Sequence, residues 1–162
     1  MGVLWCVTGG GHMMRECADR IKSTKAVTVA FSQAGEEVAR LYKVFEQISS
    51  SADEVILERN QGKSAPAVMR LGRYEKVIVA PATANTVAKI ANGVADTLVT
   101  NIIAQSLKLG LPVRLLPTDA EEKIVAETIS ARKITINTRK IDLENLRKIS
   151  GEVTVVKSVE EL

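Results

Sequence analysis

Apolar residues fall into two kinds of run along this chain, and the two kinds alternate. Short unbroken runs occur at VLWCVT (residues 3–8), AVTVAFS (26–32), DEVILE (53–58), KVIVAPAT (76–83) and PVRLLPT (112–118). Their length and β-branched content predict strands. Between them lie longer stretches with apolar positions three and four apart, the period of a helix. MMRECADRIKS (13–23) places Met13, Met14, Cys17, Ala18 and Ile21 near that spacing, after the break GGGH. AGEEVARLYKVFEQIS (34–49) aligns Val38, Leu41, Tyr42, Phe45 and Ile48 in one stripe, which predicts a single helix. SAPAVMRLGRY (64–74) reads as a helix with Pro66 in its first turn, where a missing N–H costs nothing. NTVAKIANGVADTLVTNIIAQSLKLG (85–110) supplies the next helical stretch.

The strand runs are apolar throughout instead of alternating, so both their faces are covered, as in a parallel sheet with helices on each side. The expected fold is therefore a doubly wound α/β sandwich of three layers, Rossmann-like and mostly parallel. The tail is more polar. KITINT (133–138), DLENLRKIS (142–150) and EVTVVKS (152–158) predict a strand, a short helix with Asp142 as N-cap, and a last strand. No repeat, low-complexity tract or linker divides the 162 residues, which read as one domain spanning 1–162.

Composition narrows the function classes. Hydrophobic residues are 46% and charged residues 25% of the chain, ordinary for a globular protein, while aromatics are 3%, so Leu, Ile, Val and Ala must build the core. The net charge of +3 is spread among alternating signs and forms no basic stripe, so nucleic acid is not an expected partner. No apolar run reaches membrane-spanning length, and MGVLWCV lacks the basic start of a signal peptide, which predicts a cytoplasmic protein without a membrane partner. Two cysteines make neither a disulfide framework nor a zinc quartet; Cys6 lies within a strand and Cys17 shares helical spacing with Met14 and Ile21, so both are expected in the core.

In an open parallel sheet, ligands bind beyond the carboxyl ends of the strands. Three loops there are unusual. TGGGH (8–12) permits close backbone approach to a phosphate or flat ring, although it lacks the full G-x-G-x-x-G spacing and a tight turn alone would also use it. FSQAGEE (31–37) puts Ser32 at a helix start, where a hydroxyl serves as N-cap or holds an anion. PATANT (81–86) offers donors and acceptors on Thr83, Asn85 and Thr86, with the small Ala82 and Ala84 leaving room for a planar ligand; Asn85 as a helix cap is the alternative.

APATANT followed by AKIANGVADTL resembles the PASANT signature of the homo-oligomeric flavin-containing cysteine decarboxylase superfamily, whose members bind FMN in a flavodoxin-like fold. The likeness extends over the TGGGH loop, the FSQAG turn, PATANT and the ADTL segment. It implies that Thr8, Gly9, Gly10, Gly11, Ser32 and Gln33 hold the phosphate and ribityl chain. It implies that Pro81, Ala82, Thr83, Asn85, Thr86, Ala95, Asp96 and Leu98 border the isoalloxazine. His12, which follows the glycines, either faces the flavin or caps the turn, and Asp96 is otherwise a helix-surface charge.

Two departures argue against cysteine decarboxylation. The only histidine is His12, outside the span where the superfamily's peptidyl-cysteine decarboxylases carry their catalytic His. LPTDAEEK (116–123) supplies Pro117 but no Met, Asn or Trp where those enzymes have a PxMNxxMW segment. GGGHMMRE, SQAGEEVARLY and RKIDLENLRKISGEVTVVKSVEEL look instead like the archaeal-type flavoproteins that include acceptor-dependent dihydromethanopterin reductases. That likeness implies an FMN-dependent oxidoreductase, reducing a pterin with electrons from a separate donor such as ferredoxin, in a homo-oligomer of trimers or dodecamers. A decarboxylase or prenyl-transfer enzyme of the superfamily, or a carrier with no organic substrate, is the alternative.

Overall fold

The computed structural model describes residues 1–61 and 66–162. The chain opens with strand β1 (Gly2–Val7), helix α1 (Met14–Ser23), strand β2 (Val27–Phe31), helices α2 (Gln33–Leu41) and α3 (Phe45–Ser51), and strand β3 (Glu54–Leu57). A helical turn α4 (Glu58–Gln61) follows directly, then a turn α5 (Pro66–Met69) and a single 3₁₀ turn at Leu71–Arg73. Strand β4 (Tyr74–Ala82), helices α6 (Ala84–Ala91) and α7 (Leu98–Lys108) and strand β5 (Val113–Pro117) complete the alternating part. The remainder holds strands β6 (Lys123–Glu127) and β7 (Lys133–Asn137), helix α8 (Lys140–Ile149), the two-residue strand β8 (Thr154–Val155) and a final 3₁₀ turn at Val159–Glu161.

Six strands form a wholly parallel sheet in the order β3-β2-β1-β4-β5-β8, as the apolar runs predict. The direction of winding reverses between β1 and β4, which opens a crevice at their carboxyl ends. Side chains of β1 alternate between the two faces. Val3, Trp5 and Val7 pack with α1, α3 and the C-terminal turn, while Leu4 and Cys6 pack with α6, α7 and α8. Trp5 is fully buried and its indole N–H finds the Ala80 carbonyl at 2.7 Å, so the large ring adds apolar area without an orphaned donor. Cys6 and Cys17 are both buried, as expected, and burial pushes their thiols far above the usual range, leaving them inert packing groups.

Several boundaries differ from the sequence expectation. The helix expected over 34–49 is two helices, broken where Lys43 adopts a φ of 59°. There the Val44 N–H reaches back to the Ala39 carbonyl at 2.9 Å, ending α2 with a left-handed residue that is not glycine. The 85–110 stretch is also two helices, separated by the Asn92–Thr97 loop with Gly93 at a φ of 68°. Asp142 is not an N-cap: Arg139 holds that position, and Asp142 sits buried in the first turn of α8, paired with Arg139 at 2.8 Å. The start of the helix expected over 64–74 falls on residues 64–65, outside the described residues; from Pro66 onward the chain makes only α5 and a 3₁₀ turn. The predicted strand at 133–138 pairs antiparallel with β6, which the sequence reading did not assign, as a separate hairpin.

Candidate functional site

The carboxyl ends of β1, β2, β3 and β4 open into a cavity of about 770 Å³, a volume suited to a cofactor-sized ligand. Three helices point their N-termini at it, and each is capped by its own hydroxyl. The Ser32 Oγ accepts the Gly35 N–H at 3.0 Å above α2. Thr83 Oγ1 accepts the Thr86 N–H at 3.2 Å above α6 and lies 3.0 Å from the Thr86 hydroxyl. Thr97 and Thr100 exchange reciprocal bonds of 3.1 and 3.0 Å at the start of α7, a capping box with Thr in place of Glu. Each such terminus carries roughly half a positive charge, so the backbone contributes positive potential to the cavity, partly offset by the carboxylates of its lining.

The β1–α1 turn is held by Thr8, which is only 2% exposed. Its hydroxyl donates to the Pro81 carbonyl at 2.7 Å and accepts the Thr83 N–H at 3.0 Å, fastening the end of β1 to the cap of α6. Gly10 is wedged into this junction. A Cβ there would lie 2.6 Å from the Thr118 methyl, with Pro81 and Thr83 also in contact, so only a hydrogen fits. Gly35 permits a similar close approach at α2, where a Cβ would strike the Val7 carbonyl; α2 therefore seats its first turn directly on β1.

Of the residues singled out from sequence, Thr8, Gly9, Ser32, Gln33, Thr83, Asn85, Thr86 and Asp96 line the cavity together. Gly10, Pro81 and Ala82 lie behind its wall in the β1–β4 junction. Leu98 is fully buried in the core and presents only its backbone to the site. Ala95 is exposed and borders a separate groove between α6 and α7. Gly11 and His12 face a second, mainly apolar cavity of about 470 Å³ beneath the β6–β7 hairpin, with Tyr42, Ala126, Ile129 and Ile134. That hairpin is tied down by Tyr42, whose hydroxyl donates to the Glu127 carbonyl at 3.1 Å. Arg15 reaches the Glu127 carboxylate at 2.9 Å and stands 5.1 Å over the Tyr42 ring.

The sequence reading missed the charged lining: Glu37, Glu58, Arg59 and Lys89, with Thr97 and Val99. Arg59 is committed to Glu36, from Nε to Oε2 at 2.7 Å, and Arg40 reaches the same carboxylate at 2.9 Å. Burial acts to raise the Glu36 pKa, but the hydrogen bonds from the two guanidinium groups outweigh it and hold the carboxyl below its usual range. Lys89 pairs with Asp96 at 2.7 Å across the mouth. Among the described residues no group of His, Cys, Asp and Glu could hold a metal ion, and no helix is long and apolar enough to cross a membrane.

A family model described as Flavoprotein matches residues 1–162, the whole chain. The chain belongs to the Flavoprotein family. It is 41% identical over 138 residues to the dihydromethanopterin reductase (acceptor) of Methanocaldococcus jannaschii, an alignment covering 77% of this chain and 56% of that protein. Its identity to the enzyme of the same name from Methanosarcina mazei is 38% over 138 residues, covering 77% and 58%. The chain thus spans a little over half the length of these curated relatives. Burkholderia xenovorans DmrB, solved in complex with FMN and described as a cubic protein cage for redox transfer, superposes with a TM-score of 0.85 at 32% identity, over 98% of this chain and 89% of the other. For a Flavoprotein-family member, the parallel sheet and its crevice at the β1–β4 switch are the expected frame.

Proposed function

We propose that this chain binds FMN in the 770 Å³ cavity and acts as an FMN-dependent oxidoreductase that reduces a pterin of the dihydromethanopterin kind. The observation that carries the reading is the convergence of three hydroxyl-capped helix N-termini and a glycine turn on one crevice at the switch of the sheet. That donor set suits an anionic group joined to a hydroxylated chain and a flat ring. The similarity to the methanogen reductases and to the FMN-bound cage protein supports it.

In this reading the Gly9 backbone, Ser32 and Gln33 hold the phosphate and ribityl chain, and Thr83, Asn85, Thr86 and Asp96 border the ring. Thr8, Gly10, Pro81 and Ala82 keep the β1 and β4 ends in register behind them. Bound FMN would supply two-electron chemistry toward a pterin C=N bond, the carbon taking a hydride and the nitrogen a proton from solvent, with these residues orienting the two rings. The chain's own task is orientation: among the described residues its site has no buried carboxylic acid or imidazole placed as a dedicated proton donor. Electrons come from a separate donor, such as a ferredoxin, and the protein works as a homo-oligomer, as the cage described for the Burkholderia relative suggests.

Anaerobic reduction of the FMN-loaded protein, followed by mixing with a dihydropterin, tests the reading. Flavin reoxidation coupled to stoichiometric tetrahydropterin is expected. Rapid exchange with a redox protein and no pterin turnover would make the chain an electron carrier without an organic substrate.

A further inference from the structure

Glu58 stands where β3 ends and α4 begins, and its carboxylate forms part of the cavity wall. One oxygen, Oε2, accepts the Gln33 N–H at 2.9 Å, and the other, Oε1, accepts the Leu98 N–H at 2.8 Å. Gln33 and Leu98 are the first residues of α2 and α7, so a single side chain satisfies the opening amides of two helices 65 positions apart in sequence, from 33 to 98. One negative charge shared between two termini of about half a positive charge each leaves that side of the rim close to neutral. The Arg59 beside it does not change the balance: it shares the Glu36 carboxylate with Arg40, which also reaches Glu46 at 3.7 Å, so two positive and two negative charges cancel in that cluster. The third terminus, that of α6, has no acid in its first turn.

This arrangement bears on the flavin reading, on which the inference rests. The Ser32–Gln33 turn assigned above to the phosphate already holds an anion, and the anion belongs to the protein. We propose that Glu58 is a built-in rival of the cofactor's phosphate. It occupies amides that a phosphate in the Ser32 turn would otherwise take, and so keeps the preference for phosphorylated over unphosphorylated flavin below what the helix termini could give. The same carboxylate fixes the spacing of α2 and α7, so its removal has two effects that can be separated: a loss common to every flavin, and a gain confined to the one carrying phosphate.

The experiment titrates FMN and riboflavin into the apoprotein, following flavin fluorescence, for the wild type, Glu58→Ala and Glu58→Gln, with thermal unfolding recorded alongside. Riboflavin binding should weaken in both variants, while the ratio of FMN to riboflavin affinity should rise about tenfold, the worth of one charge-assisted hydrogen bond gained by phosphate. Added formate, a carboxylate small enough to refill the vacated place, should return the Glu58→Ala ratio toward the wild-type value and leave the wild type unchanged. An unchanged ratio with equal weakening of both flavins would overturn the proposal and make Glu58 a structural tie only. A fallen ratio would also overturn it, since Glu58 would then be helping to hold the phosphate. If Glu58→Ala does not fold, Glu58→Gln still gives the reading, because it loses the charge and, with one carbonyl oxygen in place of two, can accept from only one of the two amides. Wild-type protein that takes up neither flavin would instead overturn the FMN reading itself, a separate result.

Discussion

Replacing Thr8 with Val keeps the shape of the side chain and deletes one oxygen. In the native protein that oxygen donates to the Pro81 carbonyl at 2.7 Å and accepts the Thr83 N–H at 3.0 Å, in a place only 2% exposed. The carbonyl keeps a second partner, the Thr8 backbone N–H at 3.3 Å, so its loss is partial. The Thr83 amide keeps none in its present geometry. An orphaned amide costs about 1–3 kcal/mol and the lost donated bond about 1 more, giving about 2–4 kcal/mol in all. For a chain of this size that corresponds to a fall of roughly 5–15 °C in the unfolding midpoint. Because the Thr83 backbone sets the cap of α6, FMN affinity should fall with it. Urea and thermal unfolding followed by circular dichroism, with Thr8→Ser as the control that retains the hydroxyl, make the measurement. A Thr8→Val protein within about 0.5 kcal/mol of the wild type would refute the claim that this hydroxyl fastens β1 to β4.

Other expectations follow from the same geometry. Gly35→Ala should destabilise by about 1–3 kcal/mol, since its Cβ meets the immovable Val7 carbonyl, whereas Gly72→Ala, with open space around it, should stay within about 0.5 kcal/mol in the same urea assay. Ser32→Ala should cost about 1 kcal/mol of stability as a lost cap and weaken FMN binding as well. Asn85→Ala, at an exposed side chain on the cavity, should weaken FMN binding about fivefold with stability unchanged, as read by fluorescence titration beside thermal unfolding. Glu36 is held below the ordinary carboxyl range in the folded state, so its stabilising contribution is present in full above the unfolded value near 4.3 and is lost as pH falls through the lower folded value. The stability gap between wild type and Glu36→Gln should therefore be constant from neutral pH to about 5 and close only on further acidification.

Much of the fold was legible because the strands carry their burial in the sequence. VLWCV and VIVA are apolar on both faces, and VTVAF and VRLLP are broken only by Thr28 and Arg114, a pattern suited to a sheet covered by helices on each side; the structure places them side by side at its centre. The break at Lys43 left no such mark. A left-handed residue is usually signalled by glycine, and here a lysine takes that place just before Phe45 and Ile48, which are buried in one cluster with Val29 and Phe31 of β2. The β6 strand was missed because KIVAE offers only three consecutive apolar residues and forms an isolated hairpin outside the main sheet.

The site divides in the same way. Thr8, Ser32 and Thr83 could be picked out because each follows an apolar strand and opens onto a helix or turn. Glu58 could not. It lies 25 residues from Gln33 and 40 from Leu98, and nothing local shows that β3 ends beside both helix starts. His12 shows the limit of loop proximity: it follows the glycines directly, yet the left-handed Met13 and the start of α1 turn it toward the hairpin cavity.

The most direct measurement is a crystal structure of this protein grown with FMN. One flavin per chain is expected in the crevice at the ends of β1, β2 and β4, with its phosphate at the Gly9 and Ser32 turns and its ring against Thr83, Asn85 and Asp96. Flavin bound elsewhere, for instance beneath the β6–β7 hairpin beside His12 with the main crevice empty, would contradict it.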